Sequence, residues 1–250
     1  MRKFDDYMKS YSHLEGWFQL PAIAIWDALL DFQQQQQIVG NILEIGVWKG
    51  KSAALAALHC RAEEQCVFVD PLPLDGVREC ISAVMPSTKC HYLTESSQFL
   101  PRHPFLAQGV RSFRWIHIDG EHTAQAVSND LAIAELLLGD RGMLVMDDFF
   151  NPGYPQVTQA VFQFLNAQPG RLTMVLCGFG KAYLCRPRPA REYLSFMSNS
   201  LYSEMNDRQC GGVTIWKTTE PADMNTFGVT ERYMDYNYRG PDWNDRQIDI

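Results

Sequence analysis

Three aspartates and one histidine are the residues of this chain best suited to chemistry. Asp119 follows one short apolar run, Asp147 and Asp148 follow the next, and His122 lies just beyond Asp119. If the two runs are neighbouring strands of an open α/β sheet, these side chains converge outside the strand ends, where ligands bind. Carboxylates crowded together need a cation, and hard oxygen ligands suit Mg²⁺, Mn²⁺ or Ca²⁺. A neutral imidazole can accept a substrate proton.

A glycine turn provides a second candidate site. Residues 41–52 read NILEIGVWKGKS, which predicts a buried strand, a turn at Gly46 and Gly50, and a helix beginning near Ser52. Glycine lets a ligand approach the backbone, and a helix N-terminus offers free N–H groups. The spacing fits neither the dinucleotide fingerprint nor the phosphate-binding P-loop. An ordinary strand-to-helix turn is the alternative reading.

An acidic residue also ends the next apolar run, at Asp70. A carboxylate at the end of a second strand can accept hydrogen bonds from two ribose hydroxyls, although polar strand ends are common. The glycine turn and Asp70 together favour a nucleoside-containing ligand.

Strands and helices alternate between residues 41 and 188, which predicts a mainly parallel sheet covered on both faces. The last two strands are joined only by Gly178-Phe179-Gly180 and should form an antiparallel hairpin. The predicted strands are 41–45, 65–69, 90–93, 114–118, 142–146, 172–177 and 181–186. The predicted helices of this region are 51–62, 76–84, 95–100, 123–138 and 155–167.

These motifs resemble class I S-adenosylmethionine-dependent methyltransferases, and most closely the metal-dependent macrocin and mycinamicin O-methyltransferase group. Catechol-type O-methyltransferases and cephalosporin-hydroxylase-like proteins are relatives. The resemblance covers residues 40–185 and implies a Rossmann-like, doubly wound, seven-stranded fold. The residues that carry it are Glu44-Ile45-Gly46, Gly50-Lys51-Ser52, Asp70, Ile118-Asp119-Gly120 and Asp147-Asp148.

The resemblance implies two groups of site residues. S-adenosylmethionine would be bound by Glu44, Gly46, Trp48, Gly50, Ser52, Asp70, Ser97 and Asp119. A divalent metal, Mg²⁺ for preference, would be bound by Asp119, Asp147 and Asp148. The metal would hold substrate oxygens and lower a hydroxyl pKa. The loop Thr94-Glu95-Ser96-Ser97 would read the adenine edge, although helix capping by Ser96 or Thr94 explains its polar groups equally well. Trp48 can instead fill the core.

The catalytic base is predicted to be His122 or Asp119. Catechol-type enzymes often place a lysine near this site, but no lysine occurs between Lys89 and Lys181. Capping the following helix, or bonding Asp130, is the structural alternative for His122. His117 is interpreted as buried structure.

Residues 1–40 are predicted to be a helical cap with Pro21 at a helix start, and residues 41–188 the cofactor-binding core. The extension, residues 189–250, is a substrate lid, a surface wrap or a subunit contact that forms a homo-oligomer. It includes a predicted helix at 190–203 and a short strand at 212–216.

Composition excludes several classes of partner. The net charge is −7 without a basic stripe, which argues against nucleic acid. No signal peptide or membrane span is expected. The seven cysteines lack C-x-x-C pairs, which is typical of reduced cysteines in a cytoplasmic protein.

The function predicted is O-methylation of a small acceptor, such as a sugar, polyketide or catechol-like diol of secondary metabolism. One alternative keeps the fold with cephalosporin-hydroxylase-like chemistry. Another is a non-catalytic nucleoside-binding module.

Overall fold

The protein contains one ten-stranded sheet, seen in a computed structural model that describes residues 2–103, 111–217, 226–231 and 246–247. The strand order is β10-β8-β9-β6-β7-β5-β4-β1-β2-β3. The strands are β1 Asn41–Ile45, β2 Cys66–Val69, β3 Cys90–Leu93, β4 Phe113–Ile118, β5 Leu138–Met146, β6 Thr173–Gly178, β7 Lys181–Cys185, β8 Val213–Lys217, β9 Phe227–Glu231 and β10 Arg246–Gln247.

The five strands from β3 to β5 in this order run parallel, while β7 is antiparallel to both β5 and β6. This arrangement confirms the predicted doubly wound sheet with an antiparallel hairpin. The seven-stranded prediction was incomplete, because β9 adds parallel to β6, and β8 and β10 extend the sheet further. Part of the C-terminal extension is therefore sheet, including the predicted strand at 212–216.

The described helices lie before β1, between consecutive strands from β1 to β6, and after β7. They are α1 Lys3–Ser10, α2 Leu20–Gln35, α3 Lys51–Leu58, α4 Asp75–Ser82, α5 Ala124–Leu137, α6 Pro155–Ala167, α7 Pro187–Asn199 and α8 Leu201–Asp207. Short 3₁₀ turns cover Ser87–Lys89 and Ser97–Arg102. Pro21 lies in the first turn of α2, as predicted. The predicted helix at 190–203 is two helices, since α7 ends before Ser200.

The sheet has an apolar core on each face, because successive strand residues point to opposite sides. On one face Trp26 of α2 stacks edge-on against Trp115 of β4, with ring centroids 5.2 Å apart. On the other face Ile116 and Leu144 pack with α5 and α6. Each buried aliphatic side chain contributes about 1.5–3 kcal/mol to folding. Since both faces are buried, the strand ends are left to form the site.

No helix in the described parts of the chain is long and apolar enough to cross a membrane. All seven cysteines are free thiols, and three of them are buried.

Candidate active site

Strand register brings the predicted site residues to one edge of the sheet. Ile45 at the end of β1 pairs with Val69 of β2 and with Ile118 of β4. Ile118 pairs in turn with Met146 of β5. The residues that follow these strands, Gly46, Asp70, Asp119 and Asp147, therefore lie in a row. The antiparallel register adds Lys181 to the row, because its neighbour Ala182 pairs with Met146.

The glycine turn requires its glycines for steric reasons. Gly46 has φ +81°, and a Cβ there would lie 1.8 Å from the backbone oxygen of Asp119. Gly50 also has φ +81° and precedes α3 as its N-cap residue. Left-handed backbone at both positions favours glycine. The turn can therefore pass directly beside the end of β4.

Asp70 stabilises this turn with both carboxylate oxygens. Its Oδ2 accepts hydrogen bonds from the backbone N–H groups of Val47 and Trp48, at 2.8 and 2.9 Å, and its Oδ1 accepts one from Leu72 at 2.8 Å. A carboxylate has about four acceptor positions, so the side chain can still accept from a ligand. Asp70 thus shapes the turn as well as facing the cavity described below.

A buried chain of charged groups, the cavity network, runs behind the strand ends through Glu44, His117, Asp147 and Lys181. The Nδ1 atom of His117 lies 2.9 Å from a Glu44 oxygen, and its Nε2 lies 3.3 Å from Asp147 Oδ2. Lys181 donates to that same Asp147 oxygen, and Ser52 donates to Glu44. Two cationic groups therefore face two carboxylates in the interior.

Electrostatics within the cavity network favour the charged forms of His117 and Asp147. Burial alone would lower the pKa of His117, but its hydrogen bonds to Asp147 and Glu44 raise the pKa to about 9. Burial alone would raise the pKa of Asp147, but Lys181 and His117 outweigh it and hold the pKa well below its usual range. His117 was correctly interpreted as buried, and it is also charged.

Asp119, His122 and Asp148 form a second group, the aspartate–histidine trio. The Nε2 atom of His122 lies 2.7 Å from Asp148 Oδ2 and 3.7 Å from Asp119 Oδ1. The short contact lacks hydrogen-bond alignment, and this Nε2 has no hydrogen-bond partner in the described part of the chain. The His122 ring stacks on Tyr154, with centroids 4.0 Å apart and planes at 10°. The predicted alternative of capping α5 is not seen, because Thr123 caps it.

The trio contains two groups with shifted pKa values. Burial raises the pKa of Asp119 to about 6, against the opposing effect of His122. The interaction with Asp119 raises the pKa of His122, with a further contribution from the Asp148 charge. Asp119 is therefore shifted toward neutral pH, where proton transfer is most effective, and His122 binds a proton more tightly than an ordinary imidazole.

A cavity of about 1900 Å³ opens in front of these groups. Most of the predicted site residues line it: Gly46, Trp48, Ser52, Asp70, Ser97, Asp119, His122, Asp147 and Asp148. Glu44 and Gly50 are not among the lining residues. Glu44 is buried behind the turn, and Gly50 turns the chain into α3, so both act on the cavity from behind.

Two lining residues were missed by the sequence reasoning. Lys181 places an ammonium group beside Asp147, although the sequence between Lys89 and Lys181 contains no lysine. Asp130 of α5 is buried, its Oδ1 has no hydrogen-bond partner in the described ranges, and burial raises its pKa to about 6. Ser97 lowers that pKa through a hydrogen bond, so the predicted adenine loop and Asp130 are neighbours.

Comparison with known proteins identifies the domain. Residues 43–149 match the sequence profile of a family described as a methyltransferase domain. These residues contain the glycine turn, Asp70 and the trio. The match covers fewer than half of the 250 residues and indicates a methyltransferase domain in this part of the chain.

Solved structures share the fold of this methyltransferase. The O-methyltransferase NovP superposes with a TM-score of 0.54 at 13% identity, over 66% of this chain and 80% of NovP. Cofactor-bound Rv0187 from MTB gives 0.54 at 15% identity, over 74% and 89%. The TDP-rhamnose 3'-O-methyltransferase CalS11, from calicheamicin biosynthesis, gives 0.52 at 16% identity, over 73% and 92%. At these identities the likeness establishes the fold. No curated protein matches the chain.

The methyltransferase contains carboxylates suited to the divalent metal that the resemblance implies, but not in the predicted set. Ligand atoms of Asp119, His122 and Asp148 lie within 4.8 Å of one another, as do those of His117, Asp119 and Asp147. In the second set Asp147 already accepts from Lys181 and His117. The trio, with two carboxylates and an unpartnered imidazole nitrogen, fits a hard cation better.

Proposed function

We propose that this methyltransferase transfers the methyl group of S-adenosylmethionine to a hydroxyl oxygen of a small molecule. The observation that carries the proposal is the position of the trio, which faces the cavity beside the glycine turn. A cofactor over the turn and a hydroxyl at the trio would occupy the same cavity. The rest of catalysis is positioning of the two reactants.

The cofactor is assigned to the glycine turn and the strand ends around it. Asp70 would accept hydrogen bonds from the ribose, while Gly46 and Trp48 would lie against the methionine portion. Ser97 and the unpartnered oxygen of Asp130 would bind the adenine amino group. Ser52 would line this pocket, and Glu44 and Gly50 would shape it from behind.

Asp119 and Asp148 are the ligands that we assign to a divalent cation, with Mg²⁺ expected from the oxygen donors. Bound there, a cation would lower the pKa of an acceptor hydroxyl. Asp147 is assigned to the cavity network instead, since Lys181 and His117 already neutralise it.

His122 is the group that we assign to accept the hydroxyl proton. Stacking on Tyr154 holds its ring in place, and its Nε2 is directed at the trio rather than at a structural partner. Asp119 faces this nitrogen and would stabilise the imidazolium that forms. Asp119, whose pKa is about 6, is the alternative base.

The test is calorimetric titration with S-adenosylhomocysteine, followed by assay of methyl transfer to vicinal diols and catechols, each with Mg²⁺ and with EDTA. We expect micromolar cofactor binding and methylated product. Cofactor binding without transfer to any diol would favour another chemistry on the same fold. No cofactor binding under either condition would refute the proposal.

Variants separate the roles within the trio. Asp148→Asn should abolish Mg²⁺ binding, measured directly by titration of the metal, while cofactor affinity stays within about twofold. His122→Gln should lower kcat about 100-fold or more with little change in KM, in line with the loss of a general base. Normal Mg²⁺ binding by Asp148→Asn would contradict the metal assignment, and normal kcat in His122→Gln would contradict the base.

A further inference from the structure

The rim of the cavity is unusually aromatic. All four exposed aromatic side chains of the described residues line this one cavity: Trp17, Trp48, Phe150 and Tyr154. Trp17 is 89% exposed and Phe150 is 62% exposed. Large exposed apolar groups gathered at one place mark a binding surface, and aromatic side chains dominate such surfaces.

Backbone strain is concentrated at the same place. Seven described residues other than glycine have positive φ, and four of them line the cavity: Trp48, Asp148, Phe150 and Phe179. For a bulky residue this conformation is an outlier that costs on the order of 1–3 kcal/mol. Phe150, with φ +63°, lies two residues beyond Asp148 of the trio, with φ +53°. The strained backbone therefore connects Asp148, the proposed metal ligand, to the exposed ring of Phe150.

The aromatic groups near the trio come from two segments. Phe150 and Tyr154 lie on the loop after β5, where Phe150 packs on Phe149 and Tyr154 stacks on His122. Trp17 lies between α1 and α2, on a segment held by the hydrogen bond from Lys51 Nζ to Gly16 O at 3.1 Å. A ligand whose hydroxyl is at the trio would meet the first segment immediately.

The charge of the lining restricts the ligand further. Eight carboxyl side chains and three lysines line the cavity. Lys181 is already paired with Asp147, and Lys51 with the Gly16 carbonyl. Lys49 is exposed and lies 5.2 Å from the Trp48 ring, so eight carboxyl groups outnumber the lysines of the lining. This acidic excess disfavours anions such as phosphates and nucleotide-linked acceptors. The volume of about 1900 Å³ exceeds the ~300–1000 Å³ of ordinary ligand pockets, so a cofactor leaves room for a multi-ring acceptor.

We propose that the acceptor is an uncharged or cationic molecule with a flat, multi-ring aromatic system, held against Phe150, Tyr154 and Trp17. This inference rests on the proposed function, because it assigns the acceptor half of the same site. It excludes single-ring catechols and phosphorylated sugars as the preferred acceptors.

The experiment titrates three probes into the protein saturated with S-adenosylhomocysteine and Mg²⁺. The probes are catechol, a vicinal dihydroxynaphthalene and the sulfonate of that dihydroxynaphthalene. We expect the naphthalene to bind about tenfold more tightly than catechol, a difference of about 1.4 kcal/mol. The sulfonate should bind about tenfold more weakly than the uncharged naphthalene.

Variants test whether the rim provides the affinity. Phe150→Ala and Trp17→Ala should each weaken naphthalene binding about fivefold or more while leaving catechol binding unchanged. Leu136→Ala is the matched control, because Leu136 is an exposed apolar side chain outside the cavity lining. It should change neither affinity.

The outcomes separate this inference from the proposed function. The protein could bind the cofactor but bind catechol and the naphthalene equally tightly, or bind none of the probes. Either result would overturn the proposal of an aromatic acceptor and leave the cofactor assignment standing. Equal or tighter binding of the sulfonate would overturn the charge argument. Loss of cofactor binding itself is the failure of the proposed function.

Discussion

Two buried networks of this protein combine histidine, carboxylates and a cation, but only one of them faces the cavity. The rear network contains Asp27, Asp31, His59 and Arg208, and none of them lines the cavity. Arg208 donates to Asp27 at 2.7 Å and to Asp31 at 2.9 Å. His59 Nε2 lies 2.8 Å from Asp27, in the interior between α2 and the end of α3.

The pKa values of His59 and His117 shift in opposite directions, although both histidines hydrogen-bond to carboxylates. Burial lowers the pKa of His59, and the Asp27 hydrogen bond does not overcome it, since Asp27 is also paired with Arg208. In the cavity network His117 hydrogen-bonds to two carboxylates, and its pKa rises to about 9. Both ring nitrogens of His117 hydrogen-bond to carboxylates, whereas the second carboxylate near His59, that of Asp31, lies 3.7 Å from Nδ1 without a hydrogen bond. This difference in hydrogen bonding favours a raised pKa for His117 and a lowered pKa for His59. The rear network ties α8 to α2, while the cavity network sets the charge behind the trio.

The largest effect is expected from Lys181→Met. This change leaves Asp147 buried with only His117, and breaking a buried ion pair from one side costs about 3–5 kcal/mol. Urea denaturation should show this loss of unfolding free energy. The double variant Lys181→Met with Asp147→Asn should recover a substantial part of the lost unfolding free energy, because the unpaired carboxylate charge is gone. A single variant as stable as the wild type would show that Asp147 and Lys181 are not paired.

The position of Lys181 shows where sequence reasoning stopped. Apolar runs predicted β1 to β7, since strands buried on both faces read as continuous hydrophobic segments. Asp119 and Asp147 were placed together correctly because parallel strand ends meet. Lys181 was not predicted as a site residue because its approach to Asp147 depends on the antiparallel register of β5 with β7. The hydrophobic periodicity of the sequence does not reveal that register.

The other differences between the predicted and the observed strands also have local causes. The start of β5 at Leu138 was missed because Gly139, Asp140 and Gly142 interrupt the apolar pattern. The strand Phe227–Glu231 was missed because its residues read as part of a polar tail, and tertiary pairing with β6 overrides that pattern. The aromatic residues near the end of the extension, including Tyr233 and Trp243, lie outside the described residues.

A second effect should appear in the pH dependence of stability, measured without metal. His117 has a raised pKa, so its contribution is fully present below its ordinary value of 6.5 and is lost as pH rises through about 9. The contribution is at most about 3 kcal/mol at 1.36 kcal/mol per pKa unit. His59 has a lowered pKa, so its contribution is present above 6.5 and is lost as pH falls below it.

Difference curves isolate these two histidines from other titrating groups. The stability of wild type minus that of His117→Asn should fall between pH 6.5 and 9. The stability of wild type minus that of His59→Asn should instead fall as pH drops below 6.5. Two curves with the same slope would contradict the opposite protonation of the two networks.

Arg208→Met should have a smaller effect, about 2 kcal/mol, because two of its three carboxylate partners, Asp31 and Glu204, are partly exposed and regain water when the arginine is lost. The folded variant should bind S-adenosylhomocysteine with wild-type affinity, since the rear network does not reach the cavity. Calorimetry at a temperature well below unfolding provides the measurement. A loss of S-adenosylhomocysteine affinity in the folded variant would show that the rear network is coupled to the cavity.

The smallest effect is expected from Ser52→Ala, and it distinguishes support of the network from contact with the cofactor. Ser52 lines the cavity, but its hydroxyl donates to Glu44 rather than into the cavity. Glu44 keeps its contact with His117, so we expect a stability loss of about 1 kcal/mol and cofactor affinity within about twofold. Ser128→Ala is the control, because the Ser128 hydroxyl donates to a backbone carbonyl of α5 and should change stability little. A loss of cofactor affinity with unchanged stability would instead show that the Ser52 hydroxyl contacts the cofactor. Glu44 would then be held by His117 alone.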